Sequence, residues 1–439
     1  MSGLAPDPRI TESSARILNY VQNPAVFLAS TRKFNRDASD PLEVANALRD
    51  LNKKSTRSPR SLQYILIDHV STHFAEKGVE YSLFENLKHA SHDLVSEVVR
   101  RARKKGLKED VIAQLMSHSV NRVDLARVDD AILETVVSRA RGAFLETISL
   151  KHSESISSFG LLSQLPLLIA SSQRHLQVLE LIQFTKKTLG DDRALELILK
   201  HHELPNLRKL TWHRHVTPDV FTELFDLPSL QTLAICLMSA IDRIGFHQLT
   251  SLWLGGGALQ SSLTINAPRL HTIDLHNVTI APLALRSLLS HPELLHLSLE
   301  DCALLYLESS PEAAALKALP PVTGCRLQTL TLADLDASAV LFTLQLVRQS
   351  TAPLLKLRVL RCADTEPGSM ERIERQGMRA SSTAPDLTPR PLDLTTMVSL
   401  EHLELVSLSQ HLVVQPLANM RALKYLNLTE MYVLFAPSL

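Results

Sequence analysis

Leucines recur along the C-terminal three quarters of the chain in a fixed order. The pattern L-x-x-L-x-L starts at Leu145, Leu176, Leu207 and Leu230, and again at Leu249, Leu270, Leu294, Leu327, Leu357, Leu400 and Leu423. Val120, Val123 and Leu125 make a degenerate earlier copy. Successive copies lie roughly 20–33 residues apart, apart from a gap of about 43 after Leu357 that must hold an insertion. Within each copy, apolar and polar residues alternate over five or six positions, which predicts a short strand. Its fourth and sixth positions face one side and its third and fifth the other. Between strands, Ala281 to Leu289 and Asp219 to Phe225 have the composition of helical or irregular return segments.

One such unit cannot bury its apolar face, but stacked neighbours share a continuous core. The pattern and its period are those of leucine-rich repeats. The expected fold class is therefore α/β: a leucine-rich-repeat solenoid (horseshoe) over residues 120–439, preceded by a small all-α domain over residues 1–119. Cys302 follows Leu297 and Leu299 as L-x-L-x-x-C, the place where such repeats bury an Asn or Cys at the turn after the strand. Other copies hold Phe184, Val278, Leu335 or Leu408 there. The insertion, around 363–393, is polar and contains Pro367, Gly368, Gly377, Pro385, Pro389 and Pro391, which predicts a mobile loop. After the last copy, Met431 to Phe435 offer a minimal cap, unless the chain continues.

The N-terminal region lacks the repeat. Ser39-Asp40-Pro41 and Ser58-Pro59 are helix starts, leading into 42–51 and 61–74. Further helices are expected around 82–90, 92–104 and 108–117. In the second of these helices, Leu62, Leu66 and Val70 lie at i, i+4 and i+8 on one face. Such a face packs on its own domain or lies in a partner's groove.

Segment 61–70, Ser-Leu-Gln-Tyr-Ile-Leu-Ile-Asp-His-Val, resembles the BC box by which substrate receptors engage elongin C. Ser61, Leu62 and Val70 match that pattern, and Leu66 stands where the family usually has cysteine. Together with the helices and repeats, it resembles the Zyg-11-like receptors of cullin–elongin ubiquitin ligases and, more loosely, Rad7-type and F-box leucine-rich-repeat proteins. The resemblance implies elongin C and a cullin as partners, with Leu62, Leu66 and Val70 as the docking residues. Three departures limit it. No proline of a cullin box occurs between Ser61 and Pro166, the armadillo-like part of the Zyg-11 family is missing, and no F-box sequence is recognisable.

Composition narrows the function. Lys plus Arg and Asp plus Glu are 46 each in 439 residues, so no global field attracts nucleic acid or an anionic membrane. Aromatic residues make up only 5%, leaving the core to aliphatics. Cys236, Cys302, Cys325 and Cys362 are scattered, none in a C-x-x-C pair, and are expected to be small buried hydrophobes of a reducing compartment. Asp7, Arg9, Glu12 and Arg16 interrupt any signal-peptide core, and no run of about 18 apolar residues occurs. A cytoplasmic or nuclear protein is expected. Arg100, Arg101, Arg103, Lys104 and Lys105 form a basic cluster consistent with a solvated helix end or an import patch. Gly255-Gly256-Gly257 lacks the context of a phosphate loop and predicts a turn.

No histidine has metal-ligand spacing and no nucleophile–base arrangement is recognisable, so neither a cofactor, a metal, a small-molecule substrate nor an enzymatic activity is expected. The outward third and fifth positions remain as the candidate contact surface for a target protein. Lys209, Thr211, Trp253, Asp274, His296, Arg361, His402 and Glu404 stand out among them, Arg361 being paired with Val359 in its copy. Trp253, a large aromatic beside the small Ala234 and Ser251, is the expected anchor. The sequence thus points to an interaction adaptor. It is either the target-recognition subunit of an elongin/cullin-type ubiquitin ligase or a non-ligase leucine-rich-repeat scaffold or regulatory protein.

Overall fold

The computed structural model describes residues 121–140, 142–152, 155–182, 193–304, 325–350, 353–362, 390–392, 394, 396–408, 412–414 and 420–429, with 71–72, 97–98 and 100–101 ahead of them. The expected docking residues Leu62, Leu66 and Val70, the boundary at 119, Phe184, most of the insertion and the residues after 429 lie outside this set. The chain divides into two units, residues 1–186 with 200–204 and residues 187–199 with 205–439. Among the described residues the protein is α/β. Twelve parallel strands carry the repeat pattern, three in the first unit and nine in the second.

In the first unit, β1 (Arg122–Ala126), α1 (Asp130–Ala140), β2 (Thr147–Lys151), α2 (Ser158–Ser163), α3 (Leu165–Ala170) and β3 (Val178–Ile182) follow in order. The strands pair in register, Val123 beside Ile148 and Ile148 beside Leu179. Their inward residues Val123, Leu125, Ile148, Leu150, Leu179 and Leu181 are buried. Helix α2 starts at Ser157, whose Oγ accepts the Gly160 N–H at 3.0 Å. A Cβ at Gly160 would lie 2.1 Å from Oδ1 of Asp130, so any larger residue there would push that carboxylate aside. That oxygen accepts the Ser157 N–H at 2.9 Å.

The second unit contains β4 (Lys209–Val216), α4 (Pro218–Glu223), β5 (Thr232–Leu237), β6 (Ala240–Ile244), β7 (Ser251–Gly255), β8 (Ala258–Ile265), β9 (Thr272–His276), β10 (Thr279–Ile280), α5 (Pro282–Leu289), β11 (His296–Glu300), β12 (Ala303–Leu304), β13 (Thr329–Ala333), α6 (Ala337–Gln349), β14 (Lys356–Leu360), β15 (Arg390–Leu392), β16 (His402–Val406), β17 (Leu412–Val414) and β18 (Tyr425–Thr429). One ladder runs β4-β5-β7-β9-β11-β13-β14-β16-β18, always between successive repeats. Inward leucines and isoleucines at the second and fourth strand positions are essentially inaccessible as far as β16. In β18, the inward Leu426 and Leu428 are 47% and 44% exposed.

A backbone motif closes nearly every strand. The residue after the last strand position is left-handed in Arg127, His152, Gly256, Asn277, Asp301, Asp334, Arg361 and Ser407, with φ between 50° and 69°. Its N–H generally donates to the last strand carbonyl of the next repeat, as Asn277 does to Glu300 at 2.9 Å. The following side chain turns inward. Val128, Val278, Cys302, Leu335, Cys362 and Leu408 are all buried there, and the thiol of Cys302 donates to the Leu275 carbonyl at 3.4 Å. β4 departs from the motif. His213 and Arg214 form a two-residue bulge, after which His215 pairs with Cys236 and the register resumes.

Return segments vary with repeat length. Helices α4, α5 and α6 lie where the longer repeats allow them, α4 and α5 close to the segments expected from the sequence. The short repeats instead return through β6 and β8, which join β10 and β12 of the two following repeats in a second parallel sheet that was not expected. Two further corrections concern the repeat after α6. Its inward residues are Leu354, Leu357 and Val359, so the copy begins at Leu354, three residues before the expected start. The insertion also ends earlier than 393, since Arg390–Leu392 is a strand paired with Leu412–Val414 and Leu392 is buried.

Candidate functional site

In the ladder of the second unit, strand alternation leaves the first, third and fifth side chains of each strand on the outward face. In-register pairing aligns them in rows across the repeats. The third positions read Thr211, Ala234, Trp253, Asp274, Ser298, Thr331, Arg358, Glu404 and Asn427. Hydroxyl and small side chains fill most of the central rows, so the large Trp253 stands among short neighbours.

Trp253 is half-buried and bracketed by two imidazoles. His213, from the β4 bulge, stacks on it at a centroid distance of 5.2 Å and 26°, and His276 lies on another side at 6.2 Å and 19°. Two small residues make room for the indole. Ala234 is its partner in β5, and Gly255 lies beneath, where a Cβ would fall 2.6 Å from Cη2 of Trp253. Asp274 is its partner in β9. Burial pushes the Asp274 carboxyl above the usual carboxylate range, nearby Glu300 adds to the rise, and His296 opposes it. His296 itself is exposed.

Toward the C-terminal end, Arg358 donates to Glu404 at 2.6 Å, and Asn427 donates to the same carboxylate at 3.3 Å. Arg358 holds Glu404 below its ordinary range. His402 stacks flat on Tyr425, with centroids 4.2 Å apart and planes within 10°. In the first unit the corresponding face carries a Lys151–Asp124 ion pair at 3.2 Å and a buried Ser149–Glu180 hydrogen bond at 2.6 Å.

The structure therefore brings Trp253, Asp274 and His296 together, and His402 with Glu404. Lys209 is half-buried at the β4 end. Thr211, at 6% exposure, is too buried to meet a partner. Arg361 is not an outward strand residue, and its expected companion Val359 is core. Arg361 occupies the left-handed turn, where it donates to both carboxylate oxygens of Asp334 and lies 3.9 Å from Glu300. Arg358 takes its place on the face, and His213, His276 and Glu300 are further residues the motif alone did not reveal. Cys362, at the buried position after the turn, was the signal that could have corrected the register.

Of the other sequence expectations, Gly256 and Gly257 do form a turn, both with positive φ. Cys302, Cys325 and Cys362 are buried free thiols, and Cys236 is half-buried beneath Trp253. Burial pushes the Cys236 thiol up to about 11 and that of Cys302 up to about 12. In the basic cluster, Arg100 and Arg101 both pair with Glu97 at 2.6 Å, and Arg101 is buried rather than solvated. Among the described residues there is no group of three or more side chains placed to hold a metal ion, and no helix long and apolar enough to cross a membrane. No protein-family model matches the chain, and comparison with curated proteins finds no similar sequence.

Proposed function

We propose that this chain is a leucine-rich-repeat solenoid that acts as a docking module, gripping a protein target through the outward strand face around Trp253. The observation that carries the reading is the row of in-register short side chains from which one bracketed tryptophan rises. An aromatic anchor ringed by polar groups is the usual composition of an interface hot spot. The left-handed turn after most strands and the buried residue behind it support the repeat assignment. The purified full chain, carrying Trp253→Ala with His296→Ala, tests the docking. Its partners from cells should lose a defined protein that the wild type retains, at unchanged melting temperature. Identical partner sets would refute the reading.

The fuller version makes the module the target-recognition subunit of an elongin/cullin-type ubiquitin ligase, in the cytoplasm or nucleus. It rests on the resemblance of residues 61–70 to an elongin-binding helix, with Leu62, Leu66 and Val70 as the face. Purified elongin C should bind the wild type and not Leu62→Asp. Equal capture of both, or of neither, removes the ligase connection and leaves a repeat scaffold.

A further inference from the structure

Among the described residues, one strand-face carboxylate has only an exposed imidazole, His296, as an opposite charge nearby. Among the described residues, Asp124 has Lys151, Glu180 accepts from Ser149, Glu404 has Arg358, and Glu300 lies 3.9 Å from both His276 and Arg361. Asp274 has neither a hydrogen bond nor an ion pair among them, although Trp253 and its neighbours half-bury it. A desolvated charge without a hydrogen-bonded counter-charge is costly. Two ionisable neighbours act on it, His296 favouring its charged form and Glu300 opposing it, and the nearby turn guanidinium of Arg361 is already committed to Asp334. The first wall beside Asp274 is the Trp253 indole, whose π-face favours a cation.

We infer that Trp253 and Asp274 form a seat for a cationic side chain of the docked protein, an arginine, with the indole as its wall and the carboxylate as its floor. A planar guanidinium can donate to the carboxylate while lying along an aromatic ring, which an ammonium cannot do in one pose. Short Ser298 on the far side of Asp274 leaves that flank open. The partner is thus a basic, extended or loop segment whose guanidinium answers the Asp274 carboxylate. This inference rests on the docking proposal and specifies its chemistry.

The probe is an octamer alternating arginine and serine, titrated into the full chain by calorimetry at about 0.15 M salt, beside citrulline and lysine versions. The arginine peptide should bind, and Asp274→Asn should weaken it at least tenfold without lowering the melting temperature. Citrulline should weaken it comparably. Glu293→Gln, which removes an equal charge at the Arg326 pair off the strand face, should leave binding unchanged. Equal affinity of Asp274→Asn and wild type, equal affinity of citrulline and arginine, or no binding at all would each overturn the seat. A lysine peptide as tight as arginine would overturn the guanidinium preference. A cellular partner lost with Trp253→Ala but kept by Asp274→Asn would sink the cation seat while sparing the docking surface.

Discussion

Asp274 shows at the residue scale how binding and stability pull apart. Its folded-state pKa is raised, so its contribution to stability is complete below the ordinary carboxylate pKa and is lost as pH rises through the folded value. At neutral pH the charge is therefore a standing cost, of the kind that functional positions tolerate. Asp274→Asn should accordingly shift the urea midpoint upward at pH 7 and leave it little changed near pH 3. A downward shift at pH 7 would mean that the carboxylate supports the fold. His291 works in the opposite direction. It is buried, one ring nitrogen donates to the Ala267 carbonyl, and Nδ1 has no partner among the described residues. Burial lowers its pKa, so the unfolded chain takes up a proton near 6.5 that the folded chain refuses. Its share of stability is complete above that pH and falls as pH drops below it. Melting temperatures measured from pH 7.5 to 5 should decline, and His291→Gln should flatten the decline.

At the scale of single elements, the left-handed turn is the most repeated device. Asn277 holds φ at 56°, a conformation that Asn tolerates and β-branched residues do not. Asn277→Val should cost about 1–2 kcal/mol in urea unfolding, whereas Asn277→Gly should be close to neutral. Equal effects would mean that the side chain, not the backbone, matters there. These elements were unequally legible in the sequence. Inward positions such as Leu252, Leu254, Ile273 and Leu275 were plain, because burial dictates their spacing. The repeat at Leu354 was misplaced by three because Leu354, Leu357 and Leu360 satisfy the same spacing twice. β6 and β8 were missed because the pattern describes only the ladder strand. With equivalent residues such as Gln231 and Thr250 only 19 apart, little chain remains for a helix, and the return becomes a strand. The bracket around Trp253 was invisible because His213 reaches it only through a bulge, and a bulge leaves no period in the sequence.

Over the whole molecule, repeat stacking predicts a gradient. Each strand of the second unit's ladder is covered by its neighbours until β18, whose Leu426 and Leu428 are about half exposed. Leu426→Ala should cost less than about 1 kcal/mol, while Leu403→Ala, at the same position in β16, should cost about 2–5 kcal/mol. Amide exchange should be fastest in β18 and slow through β7 to β13, since stability in stacked repeats is a sum of neighbour terms. Uniform protection along the ladder would contradict this. The ladder also keeps its pairing in step across very unequal connections: two extra residues within β4, and 46 residues between paired Arg358 and Glu404. Strand order is thus insulated from what is inserted between strands. The segment between β14 and β15 is in consequence a permissive graft point, where a fluorescent reporter or a second binding head could be spliced in. The row of outward side chains would stay aligned.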